Sequence, residues 1–327
     1  MEREATEPAS PLEGPLVGRR RGPRRIGWGE RSDTPPRERT GAADDPGRLR
    51  DRATRSMCWV SGFGDEIAPD LANQARSLSR MAIRFVEVRS VGGRNVASFD
   101  ADEAKRVRDG FAEHGIGICA VASPVGKADV RAPFAAQVES LRGVLRAARI
   151  LGTSRVRVFS FYVGGDHATH RAEVLRRMAH MAELAADAGC VLLLENERGV
   201  YGESPNQCLE LLASVDRPSL RFTFDFANFA ILGHSTLDAI SRLAAYTTHF
   251  HVKDATASPP LVVPPGDGEG HIAEILRRAS SAGFRGFVSL EPHLRMAGAQ
   301  PTPSASAFSV AHGALLRILR ELGVPHA

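Results

Sequence analysis

From residue 57 onward, short apolar runs alternate with amphipathic stretches. The runs are CWVSGF (58–63), RFVEVRS (84–90), IGICAVA (116–122), SRVRVFSF (154–161), CVLLLE (190–195), LRFTFD (220–225), THFHVK (248–253) and GFVSLE (286–291), eight in all. Their lengths suit β-strands. Between them, apolar residues recur at intervals of three and four, the period of a helix with one buried face. Over 134–151 the stripe is Val138, Leu141, Leu145 and Ala148, with Gly152 as the stop. Over 170–188 it is Val174, Met178, Met181 and Leu184, with Gly189 as the stop. Glycine ends helices because it accepts the left-handed conformation there. The methionine pair reads as core filler. Phe308, Ala311, Leu315, Leu319 and Leu322 form a last stripe. Eight strands, each followed by a helix, predict an α/β fold of the (β/α)8 barrel type. An open doubly wound sheet is the rival, but it favours a GxGxxG turn after its first strand, and SGFGDE (61–66) lacks that spacing.

Residues 1–56 break the pattern. They hold seven Pro, seven Gly, 13 Arg and ten acidic residues, with no apolar period. Such a segment buries too little surface to offset its ordering entropy, so a disordered tail is predicted, followed by a barrel over 57–327. The tail has no apolar h-region for secretion, and its acids argue against a mitochondrial transit peptide. Its GRRRGPRR cluster (18–25) reads as a solvated arm before it reads as a nucleic-acid contact. Met57, just ahead of the first strand, offers an alternative start that the intact mass of natively expressed protein would check. The remaining 271 residues carry 29 basic and 28 acidic groups, so the barrel itself is nearly neutral. Four cysteines (58, 119, 190, 208) without a CxxC pair favour reduced thiols in a cytoplasm. No run of 18 apolar residues exists, so no membrane span is expected.

The chemistry gathers where strands end, which in a barrel is the face that carries active sites. Residues two apart share a strand face. The second run ends in Glu87 and Arg89, the fifth in Glu195 and Glu197, and the sixth in Asp225 with Asn228 three further on. The seventh carries His249, His251 and Lys253 on one parity, and the eighth ends in Glu291 with His293 two beyond. Taken singly, such a residue is usually a turn residue or a salt-bridge partner. A histidine such as His180 or His234 is more often surface or satisfied core. Together, at five strand ends after apolar runs, buried carboxylates require a cation or a proton. Two Glu, one Asp and one His from four strands make an oxygen-rich metal site with one imidazole. That set suits one divalent metal, Mn²⁺, Mg²⁺ or Co²⁺, with Zn²⁺ as a further option.

At these residues the chain resembles the xylose isomerase-like barrel superfamily of sugar and sugar-phosphate isomerases and epimerases. The motifs are GFGDEIAPDL, VEVRSVGGRNV, ASPVGK, RVFSFY, LENERG, FDFANF, HFHVKD, PPGDGEG and LEPHL, in order over 60–322. The resemblance implies a divalent metal held by Glu195, Asp225, His251 and Glu291. His249 is the alternative ligand on its strand, but the HVKD frame favours His251. The resemblance also implies that Glu195 and Glu291 act as acid and base. Asn228 stands where many epimerases have a substrate-touching His, and Glu197 replaces the His of the common ENH form, which leaves the substrate open.

The implied chemistry is proton abstraction beside a carbonyl through a metal-stabilised enediolate, on a sugar or sugar phosphate. Glu87, Arg89, Lys127, Arg157, Glu197, Asn228, His249, Lys253 and His293 are the substrate-binding candidates. If the basic ones bind substrate, a phosphate or carboxylate on it is implied, although each could equally be a salt bridge within the barrel. The long connection 254–270 is expected to cover the site, with its GDGEG turn offering N–H groups to an anion. A metal-dependent dehydratase of inosose or dehydroshikimate type is the alternative on the same fold, and a non-catalytic binding barrel is another. An apurinic endonuclease needs three zincs, more strand-end histidines and a positive surface, so nucleic acid is not an expected partner. Relatives often pair their barrels, so the resemblance implies a homodimer.

Overall fold

The computed structural model describes residues 57–294 and 303–326, and the expected disorder of residues 1–56 lies outside that span. Eight parallel strands close a barrel: β1 Met57–Phe63, β2 Phe85–Val88, β3 Gly117–Ala122, β4 Arg155–Val158, β5 Val191–Glu195, β6 Leu220–Asp225, β7 Thr247–Val252 and β8 Arg285–Leu290. β1 pairs with β2 on one side and with β8 on the other, so no edge is left open. Around the outside run α1 Leu71–Arg80, α2 Ala101–Ala112, α3 Phe134–Leu151, α4 His167–Asp187 and α5 Pro205–Val215. Two short helices, α6 Phe226–Ile231 and α7 Thr236–Leu243, follow β6, then α8 Ile272–Ser281 and α9 Ala305–Glu321. The expected helix over 134–151 is reproduced to the residue, and Gly152 stops it at φ +83°.

One expected element differs. The run 154–161 stops pairing as a strand at Val158. Phe159 N–H donates to Val125 O (2.8 Å) and Phe161 N–H to Gly126 O (2.9 Å), so the chain leaves the barrel and is stitched to the loop after β3. A side chain at Gly126 is excluded, because its Cβ would lie 2.0 Å from Phe159 O and its φ is +88°.

Strand parity divides the interior into two tiers. Low in the barrel, Phe287 meets Trp59 at a tilt and Phe85 edge-on, at ring separations of 5.6 and 5.1 Å, and Cys119, Ala120 and Leu193 pack with them. Two or four residues further along β1, β2 and β8, the inward positions become Ser61, Glu87, Ser289 and Glu291, and β7 adds His249, level with Phe287, and His251 above it, all buried. His251 lies in register with Asp225 on β6 and Ser289 on β8, and Glu195 with Thr223. The larger hydrophobic core fills the space between the outer strand faces and the helices, where Val86, Leu194, Phe224 and Phe250 are fully buried. An apolar plug beneath and a helical coat outside seal the polar tier from below and from the sides.

All four cysteines are free and buried. Burial pushes the Cys58 thiol up to about 12, and raises Cys119, Cys190 and Cys208 as well. Thiolates are the reactive form. Native protein at pH 8 is therefore expected to release almost no thionitrobenzoate from Ellman's reagent, and about four equivalents after unfolding. Rapid reaction of the native protein would show that a thiol is reachable.

Candidate functional site

Four side chains from four strand ends converge at the top of the barrel. Glu195 ends β5, Asp225 ends β6, His251 lies on β7 and Glu291 follows β8. One ligand-type atom from each lies within 4.8 Å of the others. Their exposures are 1%, 0%, 0% and 4%. β5 and β8 are separated around the ring by β6 and β7, so the two glutamates reach this point from well-separated strands.

Each member is held through one atom. Arg157 Nη1 donates to Glu195 Oε2 at 2.6 Å, while Glu195 Oε1 lies 3.1 Å from His251 Nδ1. Asp225 Oδ1 caps α6 by accepting Asn228 N–H at 2.8 Å. Asn196 clamps the same strand end: its side chain accepts Asp225 N–H and donates to Asp225 O, both at 2.9 Å. Arg89 Nη1 donates to Glu291 Oε1 at 2.7 Å. That leaves Asp225 Oδ2, His251 Nδ1 and Glu291 Oε2 buried without a hydrogen bond. Asp225 Oδ2 has Lys253 Nζ at 3.0 Å and Glu291 Oε2 has it at 4.0 Å, ion-pair distances outside hydrogen-bond geometry.

The electrostatics follow from burial and neighbours. Burial raises the Glu195 carboxyl, but His251 and Arg157 outweigh it and bring it down to about 2. Burial also acts on Asp225, where Lys253 offsets it only partly and Glu195 and Glu291 add to it, so Asp225 rises to about 6. For Glu291, burial is overcome by Lys253, His293 and Arg89, and its carboxyl falls well below the usual range. Burial opposes charge on His251, yet Glu87 and Glu195 hold it well above the ordinary imidazole value.

A second layer lies directly beneath. Glu87 Oε1 is 3.2 Å from His251 Nε2, and Glu87 Oε2 is 2.9 Å from His249 Nε2. All three side chains are fully buried. Burial lowers His249, which leaves its ring neutral and its Nε2–H free to donate to Glu87. Glu87 thus fixes the imidazole of His251 with Nδ1 turned toward the four-residue cluster, the arrangement of a carboxylate supporting a ligating histidine. Glu87 and His249 expose no surface and lie on the far side of the His251 ring from the four-residue cluster.

On the β1 side, Arg89 is gripped by three carboxylates, Asp65, Glu66 and Glu291, each at 2.7 Å. His293 Nε2 joins them, 3.0 Å from Glu66 and 3.3 Å from Glu291. Burial lowers the His293 imidazole, but the two carboxylates outweigh it and raise it to about 9. At the mouth, Lys127 Nζ bonds Glu197 at 2.9 Å and lies 4.3 Å over the Phe159 ring. Lys253 is buried against Asp225, and burial of the ammonium is outweighed by Asp225, Glu291 and Glu195, so its pKa is raised.

The connection 254–270 contains a small antiparallel hairpin, Asp254–Ala257 with Pro260–Val263. The anion held by its GDGEG turn belongs to the protein. The Asp254 carboxylate accepts N–H groups from Ala255 (2.9 Å), Gly266 (2.8 Å), Gly268 (3.1 Å) and Gly270 (2.9 Å). A Cβ at Gly268 would lie 2.4 Å from Asp254 Oδ1, which is why this turn requires glycine.

The pattern at strand ends missed four residues. Asp65 and Glu66 follow the first strand just as the other acids follow theirs, and the same rule would have found them. Asn196 lies between two glutamates on the opposite parity, so the pattern assigned it no role. Asp254 reads as the last letter of HVKD, and nothing local links it to glycines 12 to 16 residues on.

The donor set fits a divalent cation: carboxylate and imidazole atoms, buried and convergent, three of them without hydrogen bonds of their own. Two further groups, Glu87 with His249 and His251, and Glu66 with Glu291 and His293, also bring ligand atoms within 4.8 Å. Both are already internally bonded. Among the described residues, no helix is long and apolar enough to cross a membrane.

Comparison with known proteins adds one family match, one curated relative and two solved structures. The family profile described as xylose isomerase-like TIM barrel matches residues 75–310. A 3-dehydroshikimate dehydratase of Bacillus anthracis is 26% identical over 134 residues, which is 40% of this chain and 48% of that protein. The chain spans about half the length of the curated relatives it matches. A solved D-tagatose 3-epimerase-like protein superposes with a TM-score of 0.66 at 18% identity, covering 81% of this chain and 98% of the other. A xylose isomerase-like TIM barrel protein of Mycobacterium smegmatis, solved in complex with magnesium, gives 0.63 at 16% identity over 83% and 98%.

Proposed function

This chain belongs to the xylose isomerase-like TIM barrel family, and on that premise we propose that it is a divalent-metal-dependent isomerase or epimerase of a sugar or sugar phosphate. The observation that carries the proposal is the set of buried atoms without hydrogen bonds, Asp225 Oδ2, His251 Nδ1 and Glu291 Oε2, meeting beside Glu195. These four residues would hold the ion. The chemistry such an ion supplies when bound is Lewis-acid stabilisation of negative charge on substrate oxygen.

The chain's own residues do the rest. Glu195 and Glu291 approach from strands on well-separated parts of the ring, so each offers a carboxylate to a substrate lying between them. Glu291, anchored through Oε1 to Arg89, takes or returns the proton beside the carbonyl. Glu195 Oε1 does the same from the other side, with Oε2 committed to Arg157. Both carboxyls are held low by neighbouring cations, so each rests as the base, and a proton taken from carbon is readily passed on. The apolar plug and the helical coat keep water from reaching the site except through the mouth.

Elemental analysis tests the metal. The full chain is expected to carry about one divalent ion, and Asp225→Ala to lose it. No ion even after Mn²⁺ is supplied would mean that Arg and Lys alone satisfy the carboxylates, and the non-catalytic binding barrel would replace the proposal. Three ions per chain would point to endonuclease chemistry instead.

One observation favours a dehydratase as second reading, namely the dehydratase among the curated relatives. The two separate cleanly in deuterated water. An isomerase or epimerase exchanges a carbon-bound hydrogen of D-tagatose without loss of water. A dehydratase converts 3-dehydroshikimate to a product with a new ultraviolet absorption.

A further inference from the structure

We infer that the barrel carries a second binding site, remote from the four-residue cluster, for a small organic anion: a phosphate or carboxylate group on an apolar body. It lies between the C-terminal halves of α3 and α4, where a cavity of about 280 Å³ is lined by Arg142, Arg146 and Arg149. Leu145, Leu184 and Ala188 supply its apolar wall, and Asp187 is the acid on its lining. α3 leads into β4 and α4 into β5, so the cavity sits beside the starts of these strands, at the opposite end of the barrel from Glu195. Its existence is independent of the proposed isomerase chemistry.

The arginines stand against the local preference of a helix. They are spaced four and three apart, so they share one face of α3, and like charges at that spacing repel. Elsewhere on the helical coat arginines are matched within their own helix: Arg106 to Glu103, Arg176 to Glu173, Arg242 to Asp238 and Arg277 to Glu274. Arg142 follows that habit, with Glu139 at 2.8 Å. Arg146 has Arg142, Gly143, Arg149 and Ile150 at the positions where such a partner would stand, and Arg149 has no acid there either. Among the described residues neither forms an ion pair, with Asp187 or any other acid. The helix dipole accounts for Arg149 in the last turn, but it fades within that turn and does not reach Arg146. All three arginines are exposed, while Leu145 on the same wall is buried. Guanidinium groups take phosphate and carboxylate through paired N–H donors, and an anion between them relieves the repulsion along α3. An inorganic ion would use the arginines alone. The leucine wall, and a volume close to the lower end of ligand pockets at roughly 300 Å³, suit one ring or short chain attached to the anion.

Calorimetric titration of the full chain with phenyl phosphate, without added metal, tests the inference. Wild type is expected to bind it in the millimolar range or tighter. The double variant Arg146→Gln with Arg149→Gln is expected to bind on the order of 10-fold more weakly, the effect of losing charge-assisted hydrogen bonds. Both positions are exposed, so the variant should fold, and an unchanged melting temperature checks that it does. Inorganic phosphate is expected to bind more weakly than phenyl phosphate, because it leaves Leu145 and Leu184 uncovered. Benzoate, titrated alongside, sorts carboxylate from phosphate, and arginine-dependent binding of either supports the inference. No binding of either compound by wild type, equal binding by wild type and the double variant, or inorganic phosphate binding as tightly as the aromatic anions overturns it.

Discussion

Glu291→Gln is expected to lower hydrogen exchange between substrate and deuterated water by on the order of 1000-fold, while the barrel still folds. The amide has the shape of the carboxylate but cannot accept the proton. Arg89 retains Asp65 and Glu66 at 2.7 Å, so the network around position 291 stays anchored. His251 remains oriented by Glu87, and Asp225 by Asn196 and Asn228. The change should therefore appear in kcat far more than in the melting temperature. Metal content measured on the same sample separates a lost proton carrier from a lost ion, since Asp225→Ala is the variant expected to empty the site. Undiminished exchange in Glu291→Gln, followed by the loss of the substrate C–H signal in proton NMR, would count decisively against Glu291 as a proton carrier.

The second large effect is on stability. Glu87→Ala is expected to destabilise the chain by about 3–5 kcal/mol, the range for removing one partner of a buried ion pair. Glu87 is the shared acceptor of two fully buried histidines, at 2.9 and 3.2 Å. Without it, His249 loses the partner of its only bonded nitrogen, since Nδ1 already lacks one, and His251 loses its orienting carboxylate. A cavity next to two unsatisfied rings cannot refill with apolar atoms. For a barrel of this size the loss corresponds to roughly 10 °C in melting temperature. The sign with pH follows from the Glu87 carboxyl: burial raises it, but His251 and His249 drive it well below the ordinary range. Its contribution is complete above the unfolded carboxylate pKa and is lost as pH falls toward the depressed folded value. The wild-type and Glu87→Ala melting temperatures should accordingly converge in acid. A gap that stays constant from pH 7 to pH 3 would mean the ionised carboxylate is not what stabilises the pair.

The two predictions concern side chains of the same apparent rank in the sequence, yet the structure gives them different places. Glu87 and Glu291 both follow apolar runs and both point inward by parity. Alternation along a strand tells inside from outside. It does not tell height along the barrel axis, because height depends on how the strands tilt and stagger when the sheet closes. Closure sets Glu87 in register with Phe63 of β1 and puts it below His251, while Glu291 stands at the rim. The same limit explains Lys127, Arg157 and Lys253. Their charge is written in the sequence, but their partners lie on other strands or loops.

Local chemistry was read directly. The eight strands and the helix over 134–151 with its glycine stop follow from periodicity and turn residues whose information lies within a few positions, and the meeting of Glu195, Asp225, His251 and Glu291 is what the resemblance to the xylose isomerase-like barrels implies. Short-range rules suffice there because strand pairing in a closed parallel barrel runs in chain order except at the closing seam. What only the tertiary structure decided is which charge faces which. Asp254 binding the glycines of its own loop, Glu87 bridging two histidines, and the pairing of Arg89, Lys127, Arg157 and Lys253 with acids depend on distances between residues far apart in the chain. Such distances are fixed only when the barrel closes, and a Coulomb interaction reads separation in space rather than in sequence.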